Sequence, residues 1–259
     1  MAGTTSLTGD QLQEVMGLLK GANSAELKLT VSDSQRNGAA MRLGADPLDA
    51  RIRQVFFFDT PDLALNDAGV VARARRIQDA AADTVVKLRP VIPEELAPDL
   101  RENPRFSVEV DAMPGGFVCS ASLKGSSTNE EVRTTAEARS PIRKLFSKAQ
   151  RQFFAAHAPD GLALDDLAVL GPINILKLKY RPGSLARRIA AELWMYPDGS
   201  RILELSTKCS PSETFQVAAE ARAFLEAKGL DLSGGQQTKT ATALRFFARQ
   251  IAQEKPSVP

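Results

Sequence analysis

Val70–Arg76 reads VVARARR, and Val85–Pro90, farther along the chain, reads VVKLRP. In both stretches the basic residues occupy every second position. Because side chains on a strand alternate between its two faces, each basic pair projects from one face, with its members about 6.6 Å apart. Two like charges at this distance repel each other by roughly 2.5 kcal/mol at an effective dielectric constant near 20. The pattern therefore predicts strands with an ionic face that needs water or a compensating anion.

The same alternation returns in five further stretches, each with one apolar and one ionisable face. They are Ala25–Val31, Phe106–Asp111, Ile175–Arg181, Ala190–Trp194 and Ile202–Lys208. One such strand would usually be a solvated face. Seven of them, with basic and acidic strands separated, favour an α+β fold in which an antiparallel sheet closes into a barrel or tunnel. Its lumen would be polar and charged, and helices would cover its apolar exterior.

Composition excludes several classes of function. The formal net charge of the 259 residues is only +2, so any basic site must be local, and no nucleic-acid or membrane partner is implied. The two cysteines have no ligand spacing, and neither a secretory leader nor a spanning segment is predicted, which indicates a cytoplasmic protein. A single histidine, His157, argues against histidine-based catalysis, and no glycine-rich phosphate loop occurs.

The ionic strands are spread over almost the whole chain, which predicts one domain at residues 23–250. Residues 1–22 are predicted to form a leader and a short helix, and residues 251–259 a tail. Ser140 is a candidate helix N-cap, with Pro141 at the first helical position, for a helix that continues through Phe154.

Two more amphipathic helices are predicted at residues 211–229 and 239–253. Residues 120–139 are rich in serine, threonine and glutamate, and we interpret them as a surface excursion.

Phe58–Leu63 (FDTPDL), followed by Gly69 and the Arg73/Arg75 pair, resembles the most recognisable block of the CYTH domains, or triphosphate tunnel metalloenzymes. The resemblance extends over about residues 23–250. It includes a Glu-x-Lys opening strand, the Lys87 strand, the Glu109/Asp111 strand, the Lys179/Arg181 pair, Glu192, Glu204 and Thr238–Thr240.

The resemblance implies a tunnel of about eight strands that hydrolyses a triphosphate, either inorganic tripolyphosphate or a small organic triphosphate, with Mg²⁺ or Mn²⁺. The implied catalytic residues are Glu26 and Lys28. The implied metal ligands are Glu26, Glu109, Asp111, Glu192 and Glu204, with the metal centred on Glu26, Glu192 and Glu204. The implied substrate ligands are Arg73, Arg75, Lys87, Arg89, Lys179, Arg181, Lys208 and Lys239.

Two departures from the family pattern leave alternatives open. Ser24 stands where the opening Glu-x-Glu-x-Lys motif has its first carboxylate, and Ser206 stands where a late strand usually has a second one. A one-metal enzyme, an enzyme with an altered cation preference and a non-catalytic polyphosphate-binding module all fit this pattern, as does a class IV-type adenylate cyclase. Salt bridges across the lumen would also neutralise the same charges without any metal.

Overall fold

Nine strands close into one barrel in the computed structural model, which describes residues 8–231 and 239–254, with side chains up to residue 251. The order around the barrel is β1-β5-β6-β4-β3-β2-β7-β8-β9. The strands are β1 (Ser24–Val31), β2 (Arg51–Asp59), β3 (Val70–Ile77), β4 (Ala82–Leu88), β5 (Phe106–Met113), β6 (Gly116–Ser127), β7 (Ala168–Tyr180), β8 (Ile189–Met195) and β9 (Arg201–Cys209). Both halves of the chain therefore contribute strands to the same closed sheet.

The predicted barrel is confirmed, with two corrections to its construction. It has nine strands instead of about eight, and it is mixed instead of antiparallel, because β1 and β5 run parallel and close the sheet. A strand absent from the prediction is β6, whose second half overlaps the supposed surface excursion at 120–139. Its lumen face carries Ser120 and Ser122 before the single charge of Lys124, so it lacks the pair of ionisable residues that marks the predicted strands.

The helices of the described chain are α1 (Gly9–Lys20), α2 (Asp33–Arg36), α3 (Ala39–Leu43), α4 (Ala64–Asp67), α5 (Asn129–Ala136), α6 (Lys148–Ala155), α7 (Thr214–Ala227) and α8 (Lys239–Glu254). The prediction that one helix begins at Ser140 is wrong. Residues Ile142–Leu145 form a short 3-10 turn, and α6 begins only after Ser147, whose side chain forms a capping box with Gln150. The Ser147/Gln150 capping box therefore marks the start of this helix better than Ser140 and Pro141 do.

The outward faces of the strands form two apolar layers under the helices. One contains Phe56, Phe58 and Val86 beneath α1 and α6, and the other contains Leu29 and Leu205 beneath α3 and α7. None of the helices among the described residues is long and apolar enough to cross a lipid bilayer.

The last helix, α8, packs differently, against residues of the lumen face. Leu244 and Phe247 are buried among Val55, Ile173 and Trp194, whose side chains share their face of the sheet with the ionic residues. Burying two large apolar side chains contributes about 3–6 kcal/mol. This helix therefore closes off part of the lumen with apolar side chains, while the ionic residues occupy the remainder. Thr238, just before α8, and the tail from residue 255 lie outside the described residues.

A buried aspartate shapes the loop that joins β2 to β3. Asp59 is 1% exposed, and its carboxylate accepts hydrogen bonds from the backbone N–H groups of Thr60, Leu65 and Asn66, at 2.7, 2.9 and 3.0 Å. The bonds from Leu65 and Asn66 provide acceptors for backbone N–H groups at the amino end of α4, a helix of one turn that has no partner for them. The FDTPDL block thus sets the entry into β3, the strand of Arg73 and Arg75.

We predict that Asp59→Asn lowers the free energy of unfolding by roughly 2–4 kcal/mol. The backbone N–H groups would lose a charged acceptor, and the side-chain amide has only one oxygen to accept their hydrogen bonds, while its NH2 group would face a backbone N–H. Urea unfolding followed by circular dichroism measures the change. Asp67→Asn, which alters an exposed carboxylate in α4, should change stability by less than about 0.5 kcal/mol. Equal effects of the two substitutions would contradict the structural role of Asp59.

Candidate active site

Strand register places the ionic side chains on the inner face of the barrel. Glu26 of β1 lies opposite Lys208 of β9 on one side and opposite Asp111 of β5 on the other. In the same way, Glu192 of β8 is opposite both Lys177 of β7 and Glu204 of β9. Since directly opposed residues share a face of the sheet, these groups all project into the lumen.

Three carboxylates meet on the β1–β5 wall. Glu26, Glu109 and Asp111 each offer an oxygen, and these oxygens all lie within 4.8 Å of one another. Glu109 lies in register opposite Ser24, which donates a hydrogen bond to it at 3.3 Å. A carboxylate on β5 thus lies beside the place on β1 where the family pattern has a glutamate.

Asp111 is the most enclosed member of this group, with no exposed surface. Lys28 Nζ lies 2.7 Å from its Oδ1, while Arg89 Nη1 and Lys87 Nζ lie 3.1 and 3.9 Å from its Oδ2. These cations come from β1, from β4 and from the residue that follows β4. One buried anion therefore holds three cations of the lumen together.

Glu26 is ionised at neutral pH. Burial by itself would raise its pKa, but the charges of Lys28 and Lys208 and a 2.9 Å hydrogen bond donated by Ser206 lower the pKa to about 2. Lys28 lies 3.3 Å from Glu26. Burial would lower the pKa of Lys28, yet Asp111 and Glu26 together raise it. Ser24 and Ser206, at the two positions where the CYTH pattern has carboxylates, thus each donate a hydrogen bond to a carboxylate of the lumen.

Glu192 and Glu204 form a second acidic pair, and Lys239 at the start of α8 neutralises it. Lys239 Nζ is 2.6 Å from Glu204 Oε1 and also pairs with Glu192, which pairs in turn with Lys177. Burial would raise the pKa of Glu192, but the charges of Lys239 and Lys177 hold it well below its usual range. Burial and the neighbouring Glu192 raise the pKa of Glu204.

The structure does not place these five carboxylates in one cluster. Glu26 belongs with Glu109 and Asp111, whereas Glu192 and Glu204 surround Lys239. Salt bridges across the lumen, which the sequence left open as an alternative, are present, because each of the five has an ion pair with a lysine or arginine.

The β2–β3 wall is basic. Arg75 forms a bidentate salt bridge with Asp83 of β4. Its Nε and Nη2 lie 2.7 and 2.5 Å from the two carboxylate oxygens. Arg73 has no such partner within the described chain, and its buried Nε makes no hydrogen bond. Burial and the charge of Arg75 lower the pKa of Arg73 to about 9, so its guanidinium remains charged at neutral pH.

The remaining predicted cations lie toward the outside. Lys208 is half exposed and pairs with Glu109. Lys179 is exposed near the end of β7, and Arg181 follows the end of that strand and is also exposed.

Sequence reasoning missed two lumen cations, Lys177 and Arg53, and the acidic partner Asp83. Lys177 belongs to the same alternating series as Lys179, and it lies opposite Glu192 in the register of β7 and β8. That register, had it been known, would have identified Lys177 as a lumen residue.

Arg53 is one residue away from Arg51 in β2, which is the same spacing as that of Arg73 and Arg75, so the sequence did carry a signal for it. The apolar run from Val55 to Phe58 that follows drew attention away from that spacing.

This arrangement can bind a chain of phosphate groups and a divalent cation together. Arginine forks and lysine ammonium groups bind phosphate oxygens, and carboxylate oxygens are the ligands that Mg²⁺ and Mn²⁺ prefer. The ion pairs that fill the lumen can exchange partners when such ligands enter.

We predict that tripolyphosphate binding takes up protons above pH 8 through Lys87. Burial and the charges of Lys28 and Arg89, opposed by Asp111, lower the pKa of Lys87 to about 8. Much of its charge is therefore absent at pH 8.5 and would return beside a polyanion.

Calorimetric titration in two buffers of different ionisation enthalpy measures this uptake. The difference between the wild type and Lys87→Gln should approach roughly three quarters of a proton at pH 8.5, which is the uncharged fraction of Lys87 there, and nearly vanish at pH 6.5. An equal exchange of protons by both proteins at pH 8.5 would contradict the assignment.

We also predict that Lys239→Ala destabilises the protein by roughly 3–5 kcal/mol at pH 7, because it leaves two buried carboxylates short of a partner. Their pKa values should then rise above the unfolded values. The folded state would bind more protons than the unfolded state, so part of the lost stability should return as the pH falls from 7 to 5. Urea unfolding at both values tests this. Lys20→Ala, at an exposed lysine of α1, is the control, and a deficit that does not depend on pH would contradict the prediction.

Two solved structures have the same architecture over nearly their full lengths. The HpAC1 protein of Hippeastrum, a putative adenylyl cyclase described as having a dominant triphosphatase activity, is 17% identical, with a TM-score of 0.63 over 85% of this chain and 95% of that one. A putative adenylate cyclase of Bacillus halodurans is 14% identical, with a TM-score of 0.58 over 87% of this chain and 98% of that one. No protein-family model and no curated protein matches the chain. The similarity of these structures, together with the charged lumen, shows that the chain has the fold of the CYTH domains, as the FDTPDL block predicted.

Proposed function

We propose that the protein hydrolyses a triphosphate, either inorganic tripolyphosphate or a small organic triphosphate, with the help of Mg²⁺ or Mn²⁺. The observation that carries the proposal is the division of the lumen into two opposed walls. Three carboxylates meet on the β1–β5 wall, and arginines with buried, unpaired Nε atoms lie on the β2–β3 wall. A metal ion would fit between the three carboxylates, and the phosphate oxygens of a polyphosphate would supply acceptors to the arginines.

The residues present fit a divalent cation. Glu26, Glu109 and Asp111 supply hard oxygen donors close enough to share one ion, and Mg²⁺ needs only a few carboxylates beside substrate oxygens and water. When bound, the metal would neutralise phosphate charge and lower the pKa of a coordinated water. Glu192 and Glu204 form a second acidic pair, to which Lys239 already supplies a positive charge.

The basic residues would bind and orient the phosphate chain. Lys28 of β1, together with Lys87 and Arg89 at the end of β4, lies within 4 Å of Asp111, so positive charge from two strands borders the acidic trio. The guanidinium groups of Arg73 and Arg75 on β3 can each donate two hydrogen bonds to phosphate oxygens. Arg75 would first have to give up its ion pair with Asp83. Positive charge held in place in an enclosed lumen stabilises the charge that spreads over phosphate oxygens in the transition state.

The structural neighbours support the proposal in general terms. The Hippeastrum protein, which has the same fold, is described as predominantly a triphosphatase. One fold can support several functions, so the charged side chains of this lumen are the stronger reason to expect triphosphate hydrolysis.

We further propose that residues 23–250 act as a single domain, since the barrel draws strands from both halves of the chain. A cytoplasmic location is also proposed. Cys119 and Cys209 are free and buried, which fits a reducing compartment.

Phosphate release from tripolyphosphate, ATP and thiamine triphosphate, with Mg²⁺, Mn²⁺ or EDTA, tests the function. We expect release with a metal and none with EDTA. Glu109→Gln should lower turnover on the order of 100-fold, because it removes one metal ligand. Glu94→Gln, at an exposed glutamate outside the lumen, should leave turnover unchanged.

Three outcomes would overturn parts of the proposal. Formation of a cyclic nucleotide from ATP without net phosphate release would identify a cyclase. Tight binding of tripolyphosphate without release would identify a binding module. Loss of turnover in Glu204→Gln but not in Glu109→Gln would place the metal on the Glu192/Glu204 pair.

A further inference from the structure

One strip of the barrel's outer surface is apolar and lies outside the layers that the helices cover in the described chain. Ile52 of β2 lies opposite Leu176 of β7, which lies opposite Leu193 of β8. Their neighbours along the strands, such as Lys177 and Glu192, face the lumen, so these three side chains point outward. Ile52 is 50% exposed, the two leucines are partly exposed, and none of the three belongs to an apolar core cluster. We call this strip the open face.

The open face has no charge at its centre. The adjoining outward row consists of Gln54, Asn174 and Met195, and the first charged residue in that row is Arg201 at its far edge. Apolar surface with a polar border is typical of interaction sites, and the centres of protein–protein interfaces are poor in charged residues. The chemistry of the open face therefore fits contact with another protein surface.

A groove of about 240 Å³ lies at the β2–β3 side of the open face, with Ile52, Ile77 and Arg76 in its lining. The guanidinium group of Arg76 is fixed there, because its Nε donates a hydrogen bond to the carbonyl of Asn129 at 3.1 Å and its Nη1 donates one to Gln54 Oε1 at 2.6 Å. Both acceptors are neutral, and no carboxylate of the described chain pairs with Arg76. The groove thus combines apolar walls with a positive charge that lacks an acidic partner.

The turn that leads into β2 has the complementary features. Leu48 lies in the 3-10 turn Pro47–Asp49 and is 91% exposed, more than any other large apolar side chain of the described chain. The carboxylate of Asp46 holds the turn by accepting a hydrogen bond from the backbone N–H of Leu48 at 2.9 Å. Asp49 is exposed and has no ion pair within the described residues. Leu48 is therefore an apolar tip flanked by negative charge, and its exposure shows that it does not fill the groove of its own chain.

We propose that the open face is a dimer interface between two copies of this chain, in which Leu48 of each copy enters the groove of the other. Asp49 of one copy would then approach Arg76 of the other, so the charges as well as the shapes are complementary. In a two-fold dimer the same surface is used twice, and residues near the axis meet their own copies. A centre without charge avoids the repulsion of like charges there, and the amides of Gln54 and Asn174 can both donate and accept hydrogen bonds. This inference goes beyond the proposed function and does not depend on turnover.

Sedimentation velocity of the full-length protein over a hundredfold range of concentration tests the interface. The wild type should approach twice the mass of one chain as the concentration rises. Leu48→Asp and Leu176→Lys should each weaken association about tenfold or more, because they place a charge in an apolar contact. Leu48→Met should associate like the wild type. Ile92→Asp, which alters an apolar side chain of similar exposure outside the open face, is the control and should also associate like the wild type.

Exchange of charges tests the predicted pairing of the two copies. Asp49→Arg and Arg76→Glu should each weaken association, since each homodimer would bring two like charges together twice. An equal mixture of the two variants should regain association, because both contacts of the mixed dimer then join opposite charges. Melting temperatures at low concentration show whether each variant is folded, and Leu48→Asp, at a highly exposed side chain, should melt like the wild type.

Three results would overturn the proposal. A wild type that stays monomeric at the highest concentration would leave the open face to a partner other than a second copy. A dimer that survives both Leu48→Asp and Leu176→Lys would use another surface. Folded Asp49→Arg and Arg76→Glu variants that associate no better in the mixture than alone would exclude the exchange of Leu48 turns between copies.

Discussion

The confinement of many charged side chains inside a closed barrel is the constraint on which the structure depends. An open sheet could leave these groups in water, but closure of nine strands turns their ionic face inward. Each charge then needs a partner, and Asp111 shows the result, with no exposed surface and three cations from β1 and the end of β4 around it. Charges that cross-link strands in this way make the lumen rigid, and they can exchange partners for a ligand of the right charge.

The C-terminal helix connects this charge network to the apolar packing of the protein. Leu244 and Phe247 fill part of the lumen, and the first residue of the same helix, Lys239, reaches Glu192 and Glu204. The hydroxyl of Tyr196 also donates a hydrogen bond to the backbone carbonyl of Lys239, at 3.1 Å. Apolar burial thus holds a cation at a fixed place in the lumen, and the helix and the acidic pair stabilise each other.

Two serines stand where the CYTH pattern that the chain resembles has carboxylates, and both take part in the hydrogen bonds of the lumen. Ser24 and Ser206 donate to Glu109 and Glu26, so each supplies a donor to a neighbouring carboxylate. Lys208 pairs with Glu109 on the same wall. Two members of the acidic trio, Glu109 and Asp111, lie on β5, and the third lies on β1.

The sequence by itself determined the barrel, because alternation at two-residue spacing fixes which side chains share a face, and the FDTPDL block identified the fold. It could not determine which charges meet, since partners such as Glu26 and Lys208 are far apart in the chain and come together only through strand order and register. For the same reason, tertiary structure alone separated Glu192 from Asp111, whereas the spacing of Arg51 and Arg53 already placed both on one face of a strand. Strand β6 escaped prediction because its inward face carries Ser120 and Ser122 and only one charged residue, Lys124, and only closure of the sheet required a strand there.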